Sequence, residues 1–516
     1  MVWSATLIFL IQLACLSVFF SFAFFNYLYA FASLRKSYIP RTPHSGEEVA
    51  VVIVAYNEKF VLERTLRGCE KLTYPNRFTV LADDSTDPEI IDQIRQFAIT
   101  RGCKQLLNHS FTQEITTKSG DVRLEPIEIW ESKDFVLFHR PSKNGFKAGS
   151  LQKLQAYLEH RHTKYMYLLD ADWKPQVDAL ERTLEVIEAR EDIAFVQTKR
   201  VAFPYGMNAF QKYVALSEEG CYYVDFEGRQ VLGHPALFSG CCTMLRLSAI
   251  EQVGGFMPGH LTEDIDLTNR FWLAGWKGVY LGNVVNHGEV PFSHDHFRRQ
   301  QERWCAGTAR VLREYFWAIL KSNKLTVGGK FSALRQNAYY ATPLLIGAVI
   351  IFGMATVWWL AAGWNSYPVE YYLYLLSFVK FPFVIVICIC FLSNLIQPFV
   401  MIVFKRRSYR DLVHFPMMLW YGWSVMLTYI MANLKGLFGT KLDWFRTPKF
   451  LRNQVGPLSG GSISVRIVNL SVCATFMAFY FIEGWVFGWF DTWGLLLVPA
   501  FLIAFRKNAD SNSDDF

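Results

Sequence analysis

The sequence has no CxxC pair among its ten cysteines: Cys241 and Cys242 are adjacent, and Cys388 and Cys390 sit inside an apolar run. That spacing excludes a zinc ribbon and a thioredoxin-like redox motif and is that of a reduced, cytosolic set of thiols. Charge is also scarce. Asp, Glu, Lys and Arg make up 19% of the chain, against roughly 25% in soluble proteins. The shortfall is concentrated in residues 1–34, 339–404 and 411–505. The net charge of +7 forms no basic stripe interleaved with aromatics, so no nucleic-acid partner is expected. The cations fall in short groups beside apolar runs: Arg35-Lys36, Lys405-Arg406-Arg407, Lys449 with Arg452, and Arg506-Lys507. This is the positive-inside pattern of membrane edges.

What is present is a mixture of two solvents. Hydrophobic residues make up 52% of the 516 residues, enough for a soluble domain beside a membrane region. Residues 2–34 are apolar almost throughout and show no clear cleavage site, so they predict a spanning helix with its C-terminal end in the cytosol. Residues 339–363, 378–404, 466–486 and 489–505 predict four further spans, with Trp358, Trp359 and Trp364 as interfacial anchors. A span at 411–439 would place the basic segment 441–452 outside, so that stretch is expected to lie in the membrane surface, giving five spans.

Between these regions the pattern is that of a soluble domain. Residues 49–55, 78–82, 134–138, 165–169 and 194–197 read as buried strands alternating with helical stretches such as 60–71 and 88–97. Such alternation predicts an α/β fold with a mostly parallel sheet, whose ligands bind beyond the carboxyl ends of the strands. Polar clusters stand at those ends.

Asp170-Ala171-Asp172 follows one strand, and its two carboxylates are spaced to present a metal and a diphosphate. Asp83-Asp84-Ser85 ends another and suits the base and ribose of a nucleotide, although on this motif alone Asp84 or Ser85 as the cap of the helix at 88–97 is the stronger reading. In Thr262-Glu263-Asp264, Asp264 is a candidate general base and Thr262 a candidate helix cap. Gln300, Arg303 and Trp304 share one helix face, where an amide, a guanidinium and an indole suit a sugar chain end and a diphosphate. The same face would also suit an amphipathic surface helix. Lys147 lies between Gly145 and Gly149, in a loop fit for phosphate contact.

The order of these pieces resembles the D, DxD, TED, QxxRW series of processive family 2 glycosyltransferases, the cellulose synthase and cellulose-synthase-like enzymes. It reads here as Asp83-Asp84, Asp170-x-Asp172, Thr262-Glu263-Asp264 and Gln300-x-x-Arg303-Trp304. The resemblance extends over nearly the whole chain. It implies a GT-A catalytic domain joined to a helical transmembrane region. Asp83, Asp84, Lys147, Asp170, Gln300, Arg303 and Trp304 would meet the nucleotide-sugar. Asp172 and Asp170 would hold Mg²⁺ or Mn²⁺, and Asp264, with Thr262 and Glu263, would form the catalytic group. Trp304, Gly240 and Cys241 would face the acceptor, although the cysteine of Phe238-Ser239-Gly240-Cys241-Cys242 is displaced from the family's FCGS-type element. Trp444, Thr447 and Lys449 look like the gating loop that closes over the donor.

The resemblance divides the chain into an N-terminal membrane helix (1–36), a cytosolic catalytic domain (46–320), and a channel region (321–506) with an interfacial helix (411–439) and gating loop (443–450). A disordered tail (507–516) would follow. No appended segment resembles a cyclic-dinucleotide sensor, and the plant-type insertions of cellulose synthases are missing. The expected activity is processive, inverting transfer of hexose from a UDP- or GDP-sugar, UDP-glucose before GDP-mannose. The product would be a β-glucan, mannan or glucomannan, carried across a plasma, bacterial inner or Golgi membrane. The alternative is single transfer to a membrane lipid.

Overall fold

The computed structural model describes residues 2–58, 61–107, 109–116, 122–203, 207–345, 347–348, 392–405, 408–415, 418 and 424–439. The expected spans at 466–486 and 489–505, most of those at 339–363 and 378–404, the gating loop with Trp444, Thr447 and Lys449, and the tail lie outside these residues.

Eleven strands are described: β1 (Val49–Ala55), β2 (Arg77–Asp83), β3 (Lys104–Gln105), β4 (Thr112–Thr116), β5 (Val122–Pro126), β6 (Glu128–Glu131), β7 (Phe135–His139), β8 (Tyr165–Asp170), β9 (Ile193–Ala202), β10 (Thr243–Arg246) and β11 (Lys277–Gly288). Nine of them form one sheet in the order β11-β9-β10-β8-β1-β2-β7-β6-β3, and β4 and β5 form a separate hairpin. β1 shows why the centre is so apolar. Val49, Val51 and Ile53 pack into the core on one face, and Ala50 and Val52 into the core on the other. A strand buried on both faces needs a continuous apolar run.

Helices α1 (Val2–Ala32), α2 (Leu62–Glu70), α3 (Pro88–Thr100), α4 (Phe146–His160) and α5 (Ala179–Ile187) come first. They are followed by α6 (Ala209–Gly220), α7 (Glu227–Leu232), α8 (Leu247–Gln252), α9 (Glu263–Ala274), α10 (His294–Lys321) and α11 (Val327–Asn337). A π-helical segment, Cys221–Phe226, joins α6 to α7. Later come α12 (Leu392–Phe404) and α13 (Met426–Phe438). Leu62 and Leu66 of α2, Ile90 and Ile94 of α3, and Leu180 and Leu184 of α5 cover one face of the sheet. Leu151, Leu154 and Leu158 of α4 and Leu267 and Phe271 of α9 cover the other.

The sheet departs from the mostly parallel expectation. β1 pairs in parallel with β2 and β8, as do β2 with β7 and β9 with β11. β10 runs antiparallel between β8 and β9, and β6 is antiparallel to both β7 and β3. Strand direction is absent from hydrophobic periodicity, and β10 has only four residues. β9 also runs on past Gln197, where the apolar pattern stops. Two of the polar residues there have partners: Thr198 and Asn286 hydrogen-bond at 2.6 Å, and Lys199 pairs with Glu227 at 3.0 Å.

Two caps differ from expectation. Asp87, rather than Asp84 or Ser85, caps α3 by accepting from the Glu89 backbone N–H at 3.0 Å. Thr262 occupies the N-cap position of α9, but its side chain makes no cap bond.

Among the described residues one helix is long and apolar enough to cross a membrane, over Leu13–Ala32 of α1. Within the stretch expected to lie along the membrane surface, α13 seats against α10. Tyr429 Oη donates to Gln301 Oε1 at 3.0 Å, Lys435 pairs with Glu302 at 2.9 Å, and a Cβ at Gly436 would stand 2.3 Å from the Ala306 carbonyl oxygen. α13 therefore braces the helix that carries Gln300, Arg303 and Trp304.

Candidate active site

A cavity of about 600 Å³ opens at the carboxyl ends of β1 and β8 and runs to α1 and α12. Its first wall is the end of β8. Asp170 is the last residue of that strand, and Asp172 lies just beyond it; both line the cavity.

Lys147 joins three parts of the site. The sequence placed it in a loop, but it stands in the first turn of α4. The helix can start there because Gly145 takes a left-handed φ of +71° where a Cβ would meet Pro258 at 2.7 Å. Lys147 Nζ donates to Asp170 Oδ1 at 2.5 Å and to the Gly240 carbonyl at 2.8 Å, and lies 3.6 Å from Glu263 Oε1. Burial works against the ammonium charge, but Asp170 and Glu263 outweigh it and hold its pKa above the ordinary lysine value.

Gly240 brings its loop against the start of α9. Its φ is +83°, and a Cβ there would come 2.9 Å from Asp264 Oδ2. Any other residue would press on the Asp264 carboxyl. That carboxyl accepts from the Ile265 N–H at 2.9 Å. Burial, with the neighbouring Glu263 charge, pushes its pKa up to about 7, against the opposing pull of Lys147 and Arg303. A carboxylate poised near neutral pH is suited to taking a proton from a hydroxyl.

The floor comes from α10. Gly307 lets this helix approach Thr262 so closely that a Cβ would meet Thr262 Cγ2 at 2.5 Å. Arg303 and Trp304, one turn back along α10, and Gln300, two turns back, line the cavity. Arg303 Nη1 reaches the Leu261 carbonyl at 3.5 Å. Thr262 Oγ1 and Gln300 Oε1 are buried without a hydrogen-bond partner. Buried polar atoms are nearly always paired in a folded protein, so two unpaired ones on a cavity wall point to a polar ligand.

The remaining expected residues are placed differently. Asp83 is fully buried and does not line the cavity; it is held by Ser85 and by His139 Nδ1 at 2.7 Å. Asp84 does line it, but Arg140 grips its carboxylate through Nε at 2.7 Å and through Nη2, and Ser150 Oγ adds a bond at 3.1 Å. Cys241 is fully buried with its Sγ toward Arg200, while Gly240 faces the cavity. Sequence reasoning missed Trp173, Arg200 and Tyr222, which also line it. Trp173 was signalled by its place next to Asp172. Arg200 was hidden because β9 outlasts its apolar run.

Two carboxylates, Asp170 and Asp172, suit a divalent cation of the kind that takes one or two carboxylates and completes its shell with substrate phosphate and water. They would not suffice for a dedicated protein cage. Among the described residues no group of three or more His, Cys, Asp or Glu side chains is arranged to hold a metal ion.

Comparison with known proteins places this geometry in a family. The chain is 28% identical over 312 residues to the probable glucomannan 4-beta-mannosyltransferase 9 of Oryza sativa subsp. japonica, covering 59% of this chain and 53% of the relative. It is 30% identical over 292 residues to the glucomannan 4-beta-mannosyltransferase 7 of Arabidopsis thaliana, covering 55% and 47%. The chain thus spans about half the length of the curated relatives it matches. The solved mannosyltransferase PcManGT from Pyrobaculum calidifontis, in complex with GDP-Man and Mn²⁺, aligns with a TM-score of 0.46 and 17% identity over 78% of this chain and 100% of that one. The family model described as glycosyl transferase family group 2 matches residues 165–482. With more than half of the chain matched, from the strand that ends in Asp170 through the helix that carries Gln300, Arg303 and Trp304, this protein belongs to glycosyl transferase family group 2.

Proposed function

We propose that the protein is an inverting hexosyltransferase that extends a β-linked polysaccharide from a nucleotide-diphosphate sugar. The observation that carries this reading is the Asp264 carboxyl, poised at about 7 beside Lys147, Gly240 and the α10 floor. The mixed α/β sheet with Asp170 at the end of β8 supports a GT-A reading of residues 46–320.

In this mechanism Asp264 takes the proton of the acceptor hydroxyl. The acceptor oxygen bonds to the anomeric carbon, the bond from that carbon to the diphosphate oxygen breaks, and the nucleoside diphosphate leaves with the electron pair. Attack from the face opposite the leaving group inverts the anomeric centre. Lys147 and Arg303 offset the charge of the departing diphosphate. Asp172 and Asp170 would hold Mg²⁺ or Mn²⁺, whose charge stabilises that leaving group when bound. Trp304 offers its ring to the terminal sugar, and Thr262 and Gln300 offer their unpaired polar atoms to sugar hydroxyls. Glu263 sets the charge around Asp264, and Asp84 borders the nucleotide end of the cavity with Asp83 behind it.

The continuation of the cavity from Trp304 to Asn26 of α1 and Gln397 of α12 supports a long acceptor over a single sugar on lipid. We extend this reading to the region 321–506, with the gating loop 443–450, as the path that would carry the product across a bilayer. An integral, multi-pass protein with its catalytic domain in the cytosol is the corresponding topology. The names of the relatives move the first donor to try from UDP-glucose to GDP-mannose.

The test is a donor screen on detergent-purified protein with GDP-mannose, UDP-glucose, UDP-galactose and UDP-N-acetylglucosamine, each with Mg²⁺ or Mn²⁺. Nucleotide release with a long polymer from one donor is the expected result. Release with only single-sugar lipid products would replace the polymerase reading with the lipid one, and no release from any donor would defeat both.

A further inference from the structure

One cation on the cavity wall takes no part in the chemistry above. Arg200 lies near the end of β9, in register with Asn286 of β11, and lines the cavity. Its guanidinium stands 5.1 Å from the centre of the Trp173 ring and 5.0 Å from that of Tyr222, so two aromatic side chains hold it in place. Its polar contacts are weak for a positive charge. Nη1 reaches Cys241 Sγ at 3.0 Å and the Ser239 carbonyl at 3.5 Å, and Nε is buried with no hydrogen-bond partner.

The contrast with its neighbours is sharp. Arg64 pairs with Glu289, Arg140 with Asp84, and both Arg229 and Arg335 with Asp225. Arg200 enters none of the ion pairs among the described residues; Glu218 acts on it only through space. Leaving a charged group in a protein interior without a counter-ion is costly, and here the cation borders a cavity that a ligand can fill.

Position and chemistry narrow the ligand. Lys147 takes the carbonyl of Gly240 and faces Asp170, at the end of the cavity assigned to the diphosphate. Arg200 approaches the preceding carbonyl, Ser239, whose hydroxyl accepts from Tyr222 Oη at 3.0 Å. A guanidinium only donates hydrogen bonds, in a fixed planar fork. That fork matches phosphate as well, but Lys147 and Arg303 already serve the diphosphate end, and the Trp173 and Tyr222 rings beside Arg200 are the surroundings of a sugar-ring contact, so its donors are assigned to sugar hydroxyl oxygens. We propose that Arg200 is a positioning residue for the acceptor saccharide, donating to its hydroxyl oxygens so that the attacking hydroxyl meets Asp264. This rests on the transferase reading above.

The experiment uses the full chain in detergent, with GDP-mannose or UDP-glucose as donor and β-1,4-linked mannopentaose or cellopentaose as acceptor probe. Arg200→Ala should raise the KM for the oligosaccharide about tenfold or more, the loss of a charge-assisted hydrogen bond. The donor KM, read from nucleotide released to water without acceptor, should stay within about twofold. Arg200→Lys keeps the charge but loses the fork, so it should fall between the two. Thermal unfolding run beside each assay checks that the variants are folded; should Arg200→Ala fail to fold, Arg200→Lys carries the same comparison. An unchanged acceptor KM in a folded variant overturns the proposal. A donor KM that rises as far as the acceptor KM also overturns it and moves Arg200 to the diphosphate. Failure of the transferase reading would be seen separately, as a wild-type protein that releases nucleotide from no donor.

Discussion

The ends of β2 and β8 carry the same residue type at the same place in the sheet. Asp83, followed by Asp84, closes one strand, and Asp170, followed two residues on by Asp172, closes the other. At β2 the charge is absorbed inside the protein. Asp83 is bonded to Ser85 and His139, and Asp84 is gripped by Arg140 and Ser150. At β8 Lys147 is shared by Asp170, the Gly240 carbonyl and Glu263, and Asp170 and Asp172 both line the cavity beside an Asp264 carboxyl poised at about 7. A bidentate guanidinium locks a carboxylate in place, whereas the Lys147 ammonium is a point charge shared among three acceptors, with Asp170 on the cavity wall. The partner, more than the aspartate, separates a strand end clamped inside the protein from the one proposed to meet the ligand.

The largest effect is expected at Asp264. Asp264→Asn should lower turnover about 10³-fold, the usual worth of a general base, while nucleotide binding, followed by titration of tryptophan fluorescence, persists. Retained turnover would remove Asp264 from the chemistry.

A smaller effect is expected at β2, and it should be read in stability. Arg140→Ala leaves the Asp84 carboxylate buried without its counter-ion and should cost about 3 kcal/mol, near the lower end for broken buried pairs. Replacing Arg140 and Asp84 together by leucine should recover part of that loss, because no buried charge is then left unpaired. Thermal unfolding in detergent measures both. A single variant as stable as the wild type would mean that Asp84 is as open to the cavity as Asp170.

The smallest effects lie in the pH profile. Asp264 acts as a base only when ionised, and its pKa is raised, so kcat/KM should climb with pH up to about 7 and level off above it. Glu263→Gln removes a negative neighbour that raises this pKa and should move the acid limb to lower pH. Lys147→Met removes a cation that lowers it and should move the limb upward. Shifts in the opposite directions would show that the limb belongs to another group.

Much of this was legible in the residues alone. The apolar run of β1 announced a strand buried on both faces, and Asp170-x-Asp172 stood at a predicted strand end. Gln300, Arg303 and Trp304 did fall on one face of α10, where all three line the cavity. Periodicity and local spacing carry such features because they depend on neighbours in the chain. The antiparallel entry of β10 was not legible, nor was the separation of Asp83 from Asp84. The reach of Lys147 to three segments and the ring-flanked Arg200 without a counter-ion were hidden as well. These depend on which distant groups meet: Arg140 on Asp84, Gly240 against Asp264, Trp173 and Tyr222 about Arg200. The residues alone were enough for five of the nine strands of the sheet, for the family and for the chemistry on offer. Folding settled which charges are clamped inside the protein and which line the cavity, because a charge in the interior takes its state from the partners brought near it.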